Sequence, residues 1–252
     1  MTRTHSSDIA AAAGPTLTAE PPAPISLPLL KSPGKRYRIS DAVFEQLSES
    51  IRNLQLPPGM PISEPAIAGW LQVSRSPVRE AFTRLVDLGL ITVVPQVGSH
   101  IAPISLREVE EAVFIRSALE TRAFQRAIEK GQPDVSEIQR LVDANRAAAW
   151  AQDAVAFFNT DEELHQNVFF LAGVPGLWDL VRGTKMQLDR LRWLNLPSAL
   201  ISPELVDEHQ AIVDALRDRD EKGGLEVINH HASRILVTID KYRAENPGYF
   251  TP

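Results

Sequence analysis

Residues 73–85 are VSRSPVREAFTRL and carry the signals of a helix that presents arginines at its start. A serine, Ser74 or Ser76, can cap the first turn, where a proline is also tolerated. Arg75 and Arg79 are four residues apart and share one face, opposite an apolar stripe. An arginine so placed can donate two hydrogen bonds to guanine in the major groove. The stretch predicts a recognition helix over about 76–88; the alternative is a solvated surface whose arginines pair with neighbouring acids.

The flanking residues complete the pattern of a winged helix. An earlier helix is predicted from Ser40, with apolar residues at helical spacing, and a second follows Ser63 with Pro65 in its first turn. The third stops at Gly89. Residues 90–94 and 100–103 are rich in β-branched and apolar side chains around a break at 95–99, which predicts a hairpin. We therefore predict a winged helix-turn-helix over 39–104.

Composition limits the class of protein. With 252 residues, 44% of them hydrophobic, the chain is long enough for two domains. It contains no cysteine, which excludes disulfides and thiol metal sites. The net charge is −6, but residues 1–104 carry nine Lys and Arg against eight Asp and Glu, so the acidity belongs to the second half. Residues 1–38 are predicted to be a disordered tail. The apolar stretches are too short for a membrane helix and no secretory signal is evident, so the expected location is the cytoplasm.

The second half is predicted to be all-α. Ser105 and Glu108 form a capping box before a helix that continues to Gly131. Further helices are expected near 135–151, 153–172, 176–195, 203–219 and 221–243. Short connections favour an antiparallel bundle over 105–245, followed by a tail at 246–252. The aromatic residues expected to fill its core are Trp150, Phe157, Phe158, Trp178 and Trp193.

A scattered set of acids and histidines is the second chemical signal. Asp161 and His165 lie four residues apart on one predicted helix, near enough to share a metal ion. His209 and His231 lie on the last two predicted helices. Taken singly, Asp161 and His165 also fit a simple pair on a helix surface, and Glu208-His209 also fits a solvated turn.

Residues 43–104 resemble the DNA-binding domain of GntR-type transcription regulators. The resemblance rests on the leader 51–61 with Leu-Pro-Pro-Gly at 56–59, on Ser63-Glu64, on residues 74–85 and on the wing 98–101. It implies that Arg75 and Arg79 contact bases or phosphates and that Gly98 approaches the minor groove. The implied contact set is Ser74, Arg75, Ser76, Arg79, Gly98 and His100. Some members carry a DNA-contacting arginine where this chain has Pro65, so no contact is carried over there.

Residues 105 to about 240 look like the FCD effector domain of the FadR branch, in its shorter, VanR-like form. The pattern appears as Arg116-x-x-x-Glu120, Asp161-x-x-x-His165, residues 208–212, Asp220 and His231. The resemblance implies a divalent metal ion held by Asp161, His165, His209 and His231, with His230 the rival for the last position. Such ligands suit Zn²⁺, Ni²⁺ or Mn²⁺. A carboxylate effector is expected on the ion, with Arg116, Arg190 and Arg192 as candidate anchors; the alternative for Arg116 is a plain salt bridge to Glu120.

Together these features predict a homodimeric regulator of transcription, expected to be a repressor, that binds an inverted-repeat DNA operator and is not an enzyme. Two alternatives use the same histidines. A metal-dependent hydrolase would need a general base beside the metal water, for which Glu162 and Glu163 are the nearby candidates. A direct metal sensor would take the ion itself as its signal.

Overall fold

A computed structural model of the protein describes residues 38–251. The tail predicted at 1–38 lies, except for Arg38, outside the described residues, and so does Pro252. Residues 39–101 form the head, and residues 106–245 form the bundle.

The head has the predicted winged-helix form. Its elements in chain order are α1 (Ile39–Arg52), β1 (Pro61–Ile62), α2 (Glu64–Leu71), α3 (Arg75–Asp87), β2 (Ile91–Val94) and β3 (Gly98–Ile101). The predicted hairpin is β2 and β3, paired antiparallel with Val94 opposite Gly98. Strand β1 was not predicted from the sequence. It pairs with β3 and makes the sheet order β1-β3-β2.

The helix ends of the head follow local chemistry, with one correction. Ser63 caps α2 by accepting a hydrogen bond from the amide of Ala66, and Gly89, at φ +66°, ends α3 in the left-handed conformation. Ser74 occupies the N-cap position of α3 without a side-chain cap bond. Ser40 was wrongly predicted to cap α1, because the helix begins one residue earlier and buries that serine in its first turn.

One apolar core holds the head together. Val43, Leu47 and Ile51 of α1 pack with α2 and α3, including Val78 and Leu85. The buried face of α3 thereby fixes the opposite, arginine-bearing face toward solvent.

The bundle is helical, as predicted, but two predicted helices are each divided. Its helices are α4 (Leu106–Glu129), α5 (Ser136–Trp150), α6 (Ala154–Leu171), α7 (Leu177–Thr184), α8 (Met186–Ala199), α9 (Pro203–Asp218), α10 (Glu221–Ser233) and α11 (Ile239–Glu245). Ser105 caps α4 through the amide of Glu108, half of the predicted capping box.

The two divisions have different causes. The helix expected at 176–195 breaks at Lys185, which is buried so that its ammonium reaches Glu162 and Asp189. The helix expected at 221–243 tightens into a 3₁₀ turn over Arg234–Thr238, a run rich in β-branched residues.

The bundle core joins α4, α5, α6, α9 and α10. Phe157, Phe158 and Trp178 are buried as predicted, and Trp193 is half-buried. Trp150 was wrongly assigned to the core: it is 91% exposed, since it is the last residue of α5. Gly224 of α10 permits a close approach, because a Cβ there would lie 2.0 Å from Cζ of Phe124.

The linker between head and bundle, residues 102–105, is anchored at several points. The amide of Ala102 donates to the carbonyl of Leu90, and the amide of Ile104 donates to the carbonyl of Tyr249. Phe250 is buried in the same apolar cluster as Ile104 and Leu191. The segment predicted as a C-terminal tail therefore packs against the linker.

Candidate functional site

The first residues of α3 present the polar side chains predicted to contact DNA. Ser74, Arg75, Ser76 and Arg79 are all exposed, and the side chain of Arg79 is 73% exposed. Because Ser74 makes no cap bond, amides of the first turn remain free for an anion. This end of the helix can therefore bind phosphate and base edges.

The neighbouring α2 and the wing complete this surface. Nε of Arg79 lies 3.2 Å from Oε2 of Glu64, an acid of α2, and not beside the acids that follow it in α3. Pro65 is the second residue of α2. In the wing, Gly98 is exposed at the start of β3 and His100 is half-buried, paired with Thr92 and Pro61.

Four side chains of the bundle converge on one point. Asp161 and His165 come from α6, His209 from α9 and His231 from α10. All four are buried, and one ligand atom from each lies within 4.8 Å of the others. His230, the rival of His231, is instead 69% exposed and faces Glu208.

Each histidine of the cluster is oriented by an outer partner. Nδ1 of His165 lies 3.1 Å from Oε2 of Glu120. Nδ1 of His209 lies 3.2 Å from Oδ1 of Asn145, and Nδ1 of His231 lies 2.9 Å from Oε2 of Glu208. A proton on Nδ1 of His209 and of His231 satisfies these acceptors, while Nδ1 of His165 faces Glu120 without a hydrogen bond of good geometry. This arrangement leaves an Nε2 lone pair of each ring facing inward.

The inward-facing ligand atoms of the cluster are arranged better for binding a cation than for hydrogen bonding to one another. Nε2 of His165 and Nε2 of His231 are 3.1 Å apart, and Nε2 of His209 is buried without a hydrogen-bond partner. Three neutral imidazole nitrogens and one carboxylate are the ligand types of Zn²⁺ and related ions, and oriented outer partners are typical of metal-binding histidines.

The surroundings of the cluster keep Asp161 ionised and favour the neutral forms of His165 and His231. Burial would raise the pKa of Asp161, but the guanidinium of Arg192 holds it well below its usual range. Burial lowers the pKa of His231 to about 3, with the neighbouring His209 acting in the same direction. Burial and Arg116 also lower the pKa of His165. Asp161, His165 and His231 therefore carry the protonation states that a metal ion requires.

A cavity of about 250 Å³ opens beside the cluster. Asp161 and His231 line it together with three arginines, Arg116, Arg192 and Arg234. Nε of Arg116 donates to Glu120 at 2.8 Å, while its Nη2 is buried and has no hydrogen-bond partner. The rest of the wall is largely apolar, including Phe157, Phe158, Leu196 and Leu205. The cavity thus offers an unpaired cationic donor to a small anion.

Arg190, the other anchor named in the sequence analysis, does not line this cavity. Its guanidinium is completely buried and donates to the backbone carbonyls of Ala102 and Pro103, in the linker. The residue is therefore placed at the junction of head and bundle, and its assignment as a ligand anchor is corrected.

Glu162, one of the two acids considered as a general base, belongs to an ionic network behind the cluster. Glu162 binds Lys185 at 2.6 Å and Arg192 at 2.6 Å. Burial would raise its pKa, but these two cations lower it to about 2. Arg192 also contacts Asp161, so it joins the network to the cluster. The other candidate, Glu163, is exposed.

Sequence reasoning missed Asn145 as part of the site. The side chain is fully buried and donates to the carbonyl of Phe157 and to Thr160 while its oxygen faces His209. A usable signal was present, because Asn145 falls in the helical repeat of Ile138, Leu141 and Val142, an apolar face on which an amide needs a partner.

Comparison with known proteins identifies both parts of the chain. Residues 39–101 match the family described as bacterial regulatory proteins, gntR family, and residues 111–234 match the FCD domain. A regulator from Streptomyces ambofaciens, described as an uncharacterized HTH-type transcriptional regulator in an unstable DNA locus, is 30% identical over 82% of this chain and 88% of its own length. The chain belongs to the gntR family.

Other relatives agree with this gntR assignment. The HTH-type transcriptional repressor RspR of Escherichia coli is 28% identical over 84% of this chain and 94% of its own length. The structure titled E. coli McbR/YncC has the same fold, with a TM-score of 0.66 over 82% of this chain and 99% of its own, at 22% identity.

Family membership makes the chain a DNA-binding transcriptional regulator with an FCD domain, and not an enzyme. The hydrolase alternative is thereby rejected, and the low pKa of Glu162 agrees, since that acid is a poor proton acceptor. Among the residues of this gntR regulator that the structure describes, no helix is long and apolar enough to cross a membrane.

Proposed function

We propose that this regulator is a repressor controlled by a small carboxylate effector, which binds beside a divalent metal ion in the bundle. The ion would be held by Asp161, His165, His209 and His231. The observation that carries the proposal is the inward set of ligand atoms, within 4.8 Å of one another, including the unpartnered Nε2 of His209. The ligand types suit Zn²⁺, Ni²⁺ and Mn²⁺ and do not choose among them.

The effector class follows from what the cavity lacks. When bound, the ion supplies coordination positions for oxygen ligands. Nη2 of Arg116 is a buried donor without an acceptor, and a carboxylate is the acceptor that a guanidinium binds best. A cavity of about 250 Å³ is at the small end of the range for ligand pockets and admits only a small acid. The presence of this cavity favours effector control over direct sensing of the metal.

On the DNA side, we propose direct contacts from Ser74, Arg75, Ser76 and Arg79, with Gly98 and His100 in the wing. We further propose a homodimer, for which exposed apolar side chains of the bundle such as Phe114 and Phe170 offer surface. Two heads related by a dyad would bind an inverted repeat with half-sites about 10 bp apart. Repression is proposed because the E. coli relative is described as a repressor, and the site of action would be the bacterial cytoplasm.

The metal content of purified variants tests the site. We expect about one divalent ion per chain in the wild type, and its loss in His209→Ala and His231→Ala, because each removes one of four ligands. His230→Ala is the matched control, since this neighbouring histidine is exposed, and it should keep the ion. Full metal content in His209→Ala would refute the ligand set.

A second experiment tests the anion anchor. Arg116→Gln should keep the metal, because Arg116 is not a ligand, but should lose the stabilisation that small carboxylic acids give to the metal-loaded wild type in thermal unfolding. Equal stabilisation of the variant and the wild type would remove Arg116 from the proposed effector site.

A further inference from the structure

Helix α8 contacts the metal cluster, the linker and the head within little more than one turn. Arg192 contacts Asp161, the carboxylate of the cluster. Arg190 holds the linker. Asp189 lies 3.6 Å from the guanidinium of Arg52, the last residue of α1.

Arg190 is unusual in its surroundings. It is completely buried, and within residues 38–251 it forms no ion pair, although the carboxylate of Glu108 acts on it from a longer distance. Its Nη2 donates to the carbonyl of Ala102 at 2.7 Å and its Nη1 to Pro103 at 3.3 Å and to Gln187 at 2.9 Å. Its Nε is buried without a partner. A buried cation held only by neutral oxygens costs stability, so its retention calls for a role other than stabilisation.

Arg192 gives α8 a way to respond to the cluster. Its guanidinium is shared by three carboxylates, those of Asp161, Glu162 and Asp189. A cation bound to Asp161 takes up part of that negative charge, so the attraction of Arg192 shifts toward the other two. Because Arg190 lies on the same helix, a shift of α8 changes its grip on the linker.

We propose that Arg190 is a positioning residue through which α8 ties the state of the metal site to the linker and so to the head. The inference rests on the proposed metal site and adds the route by which that site acts. The carbonyls that Arg190 binds belong to residues 102 and 103, directly between β3 and α4, where a small shift reorients the head relative to the bundle.

Amide hydrogen exchange of the full-length protein, with and without Zn²⁺, tests this route. The amides of Ala102 and Ile104 are useful reporters, since both donate to backbone carbonyls across the linker. In the wild type, we expect zinc to change their exchange rates by about fivefold or more. In Arg190→Met, the rates should be the same with and without zinc. Arg190→Lys keeps the charge and one donor and should restore part of the change.

Two further measurements separate this role from a structural one. The zinc content of Arg190→Met should equal that of the wild type, and its melting temperature should fall by no more than the loss of three hydrogen bonds explains. Arg84→Met is the matched control: it breaks an ion pair with Asp41 inside the head and should leave the zinc effect intact.

The outcomes are distinguishable. If the wild type binds no zinc, the metal site itself is refuted and the inference falls with it. If the wild type binds zinc but exchange at Ala102 and Ile104 does not change, or if Arg190→Met retains the full change, the metal site stands and the route through Arg190 is refuted. If Arg190→Met fails to fold, Arg190→Lys provides the test. A zinc-dependent change of exchange in Arg190→Lys as large as in the wild type would also refute the route through Arg190.

Discussion

At the scale of single residues, the two arginines at the start of α3 are the proposed determinants of specific DNA binding. Arg75→Ala and Arg79→Ala should each weaken operator binding by about 1–3 kcal/mol, because each removes donors to base edges or phosphate. Their melting temperatures should not change, since both side chains are exposed. Arg107→Ala, another exposed arginine but on α4, is the control. Wild-type affinity of both variants at matched salt would refute the assignment of α3 as the recognition helix.

Glu64 competes for one of these arginines. Its carboxylate lies 3.2 Å from Nε of Arg79, and an exposed pair of this kind is weak. Glu64→Gln should therefore raise DNA affinity by up to about fivefold, because Arg79 is released and a negative charge is removed from the binding surface. Anisotropy of a labelled operator fragment measures the effect, and an unchanged or reduced affinity would contradict it.

At the scale of elements, the contact between α4 and α10 is the tightest constraint in the bundle. A methyl group on Gly224 would lie 2.0 Å from the ring of Phe124, which is fully buried, so the ring or the helices must shift. Gly224→Ala should lower the free energy of unfolding by about 1–3 kcal/mol. Gly69→Ala, a helical glycine with no atom near its would-be Cβ, should be neutral or slightly stabilising. Urea unfolding of both variants decides, and equal stability would contradict the packing described.

The elements also show how far sequence reasoning extends. The helices of the head and the pairing of β2 with β3 were predictable, because capping residues, Gly89 and β-branched runs act locally. The spacing of Asp161 and His165 likewise placed both on one helical face. The strand β1 was not predictable, since two residues carry no period of their own and pair only once β3 is in place.

Other features depend on long-range packing. Arg190 and Arg192 are two residues apart and were equivalent candidates as anchors, yet one faces the linker and the other the cavity. The break at Lys185 depends on acids that fold against it. The choice of His231 over His230 depended on the family resemblance, because adjacent histidines differ only in which helix face is buried.

At the scale of the whole molecule, the buried charges make stability depend on pH. In the metal-free protein the pKa of His231 is lowered from 6.5 to about 3, and the pKa of His165 is also lowered. The unfolded chain therefore binds more protons than the folded chain below about pH 6.5, so stability is present above that pH and is lost as the pH falls. The lowered pKa of Glu208, about 2, acts in the same direction below about pH 4.5.

Urea unfolding of the metal-stripped protein between pH 8 and pH 4 measures this dependence. We expect a free energy of unfolding that is level above about pH 7 and falls steadily below it. His230→Ala should follow the same curve, because its side chain is exposed. A free energy that stayed level down to about pH 4.5 would contradict the burial of neutral histidines in the cluster.

The proposed metal centre is tested most directly by X-ray absorption at the metal edge of the purified, full-length regulator. We predict one divalent ion per chain with a first shell of nitrogen and oxygen only, including three imidazoles, because the cluster contains Asp161, His165, His209 and His231 and the sequence has no cysteine. The spectrum of His230→Ala should match the wild type. A chain without a bound ion, or an ion whose imidazole count is the same in His209→Ala as in the wild type, would contradict the account.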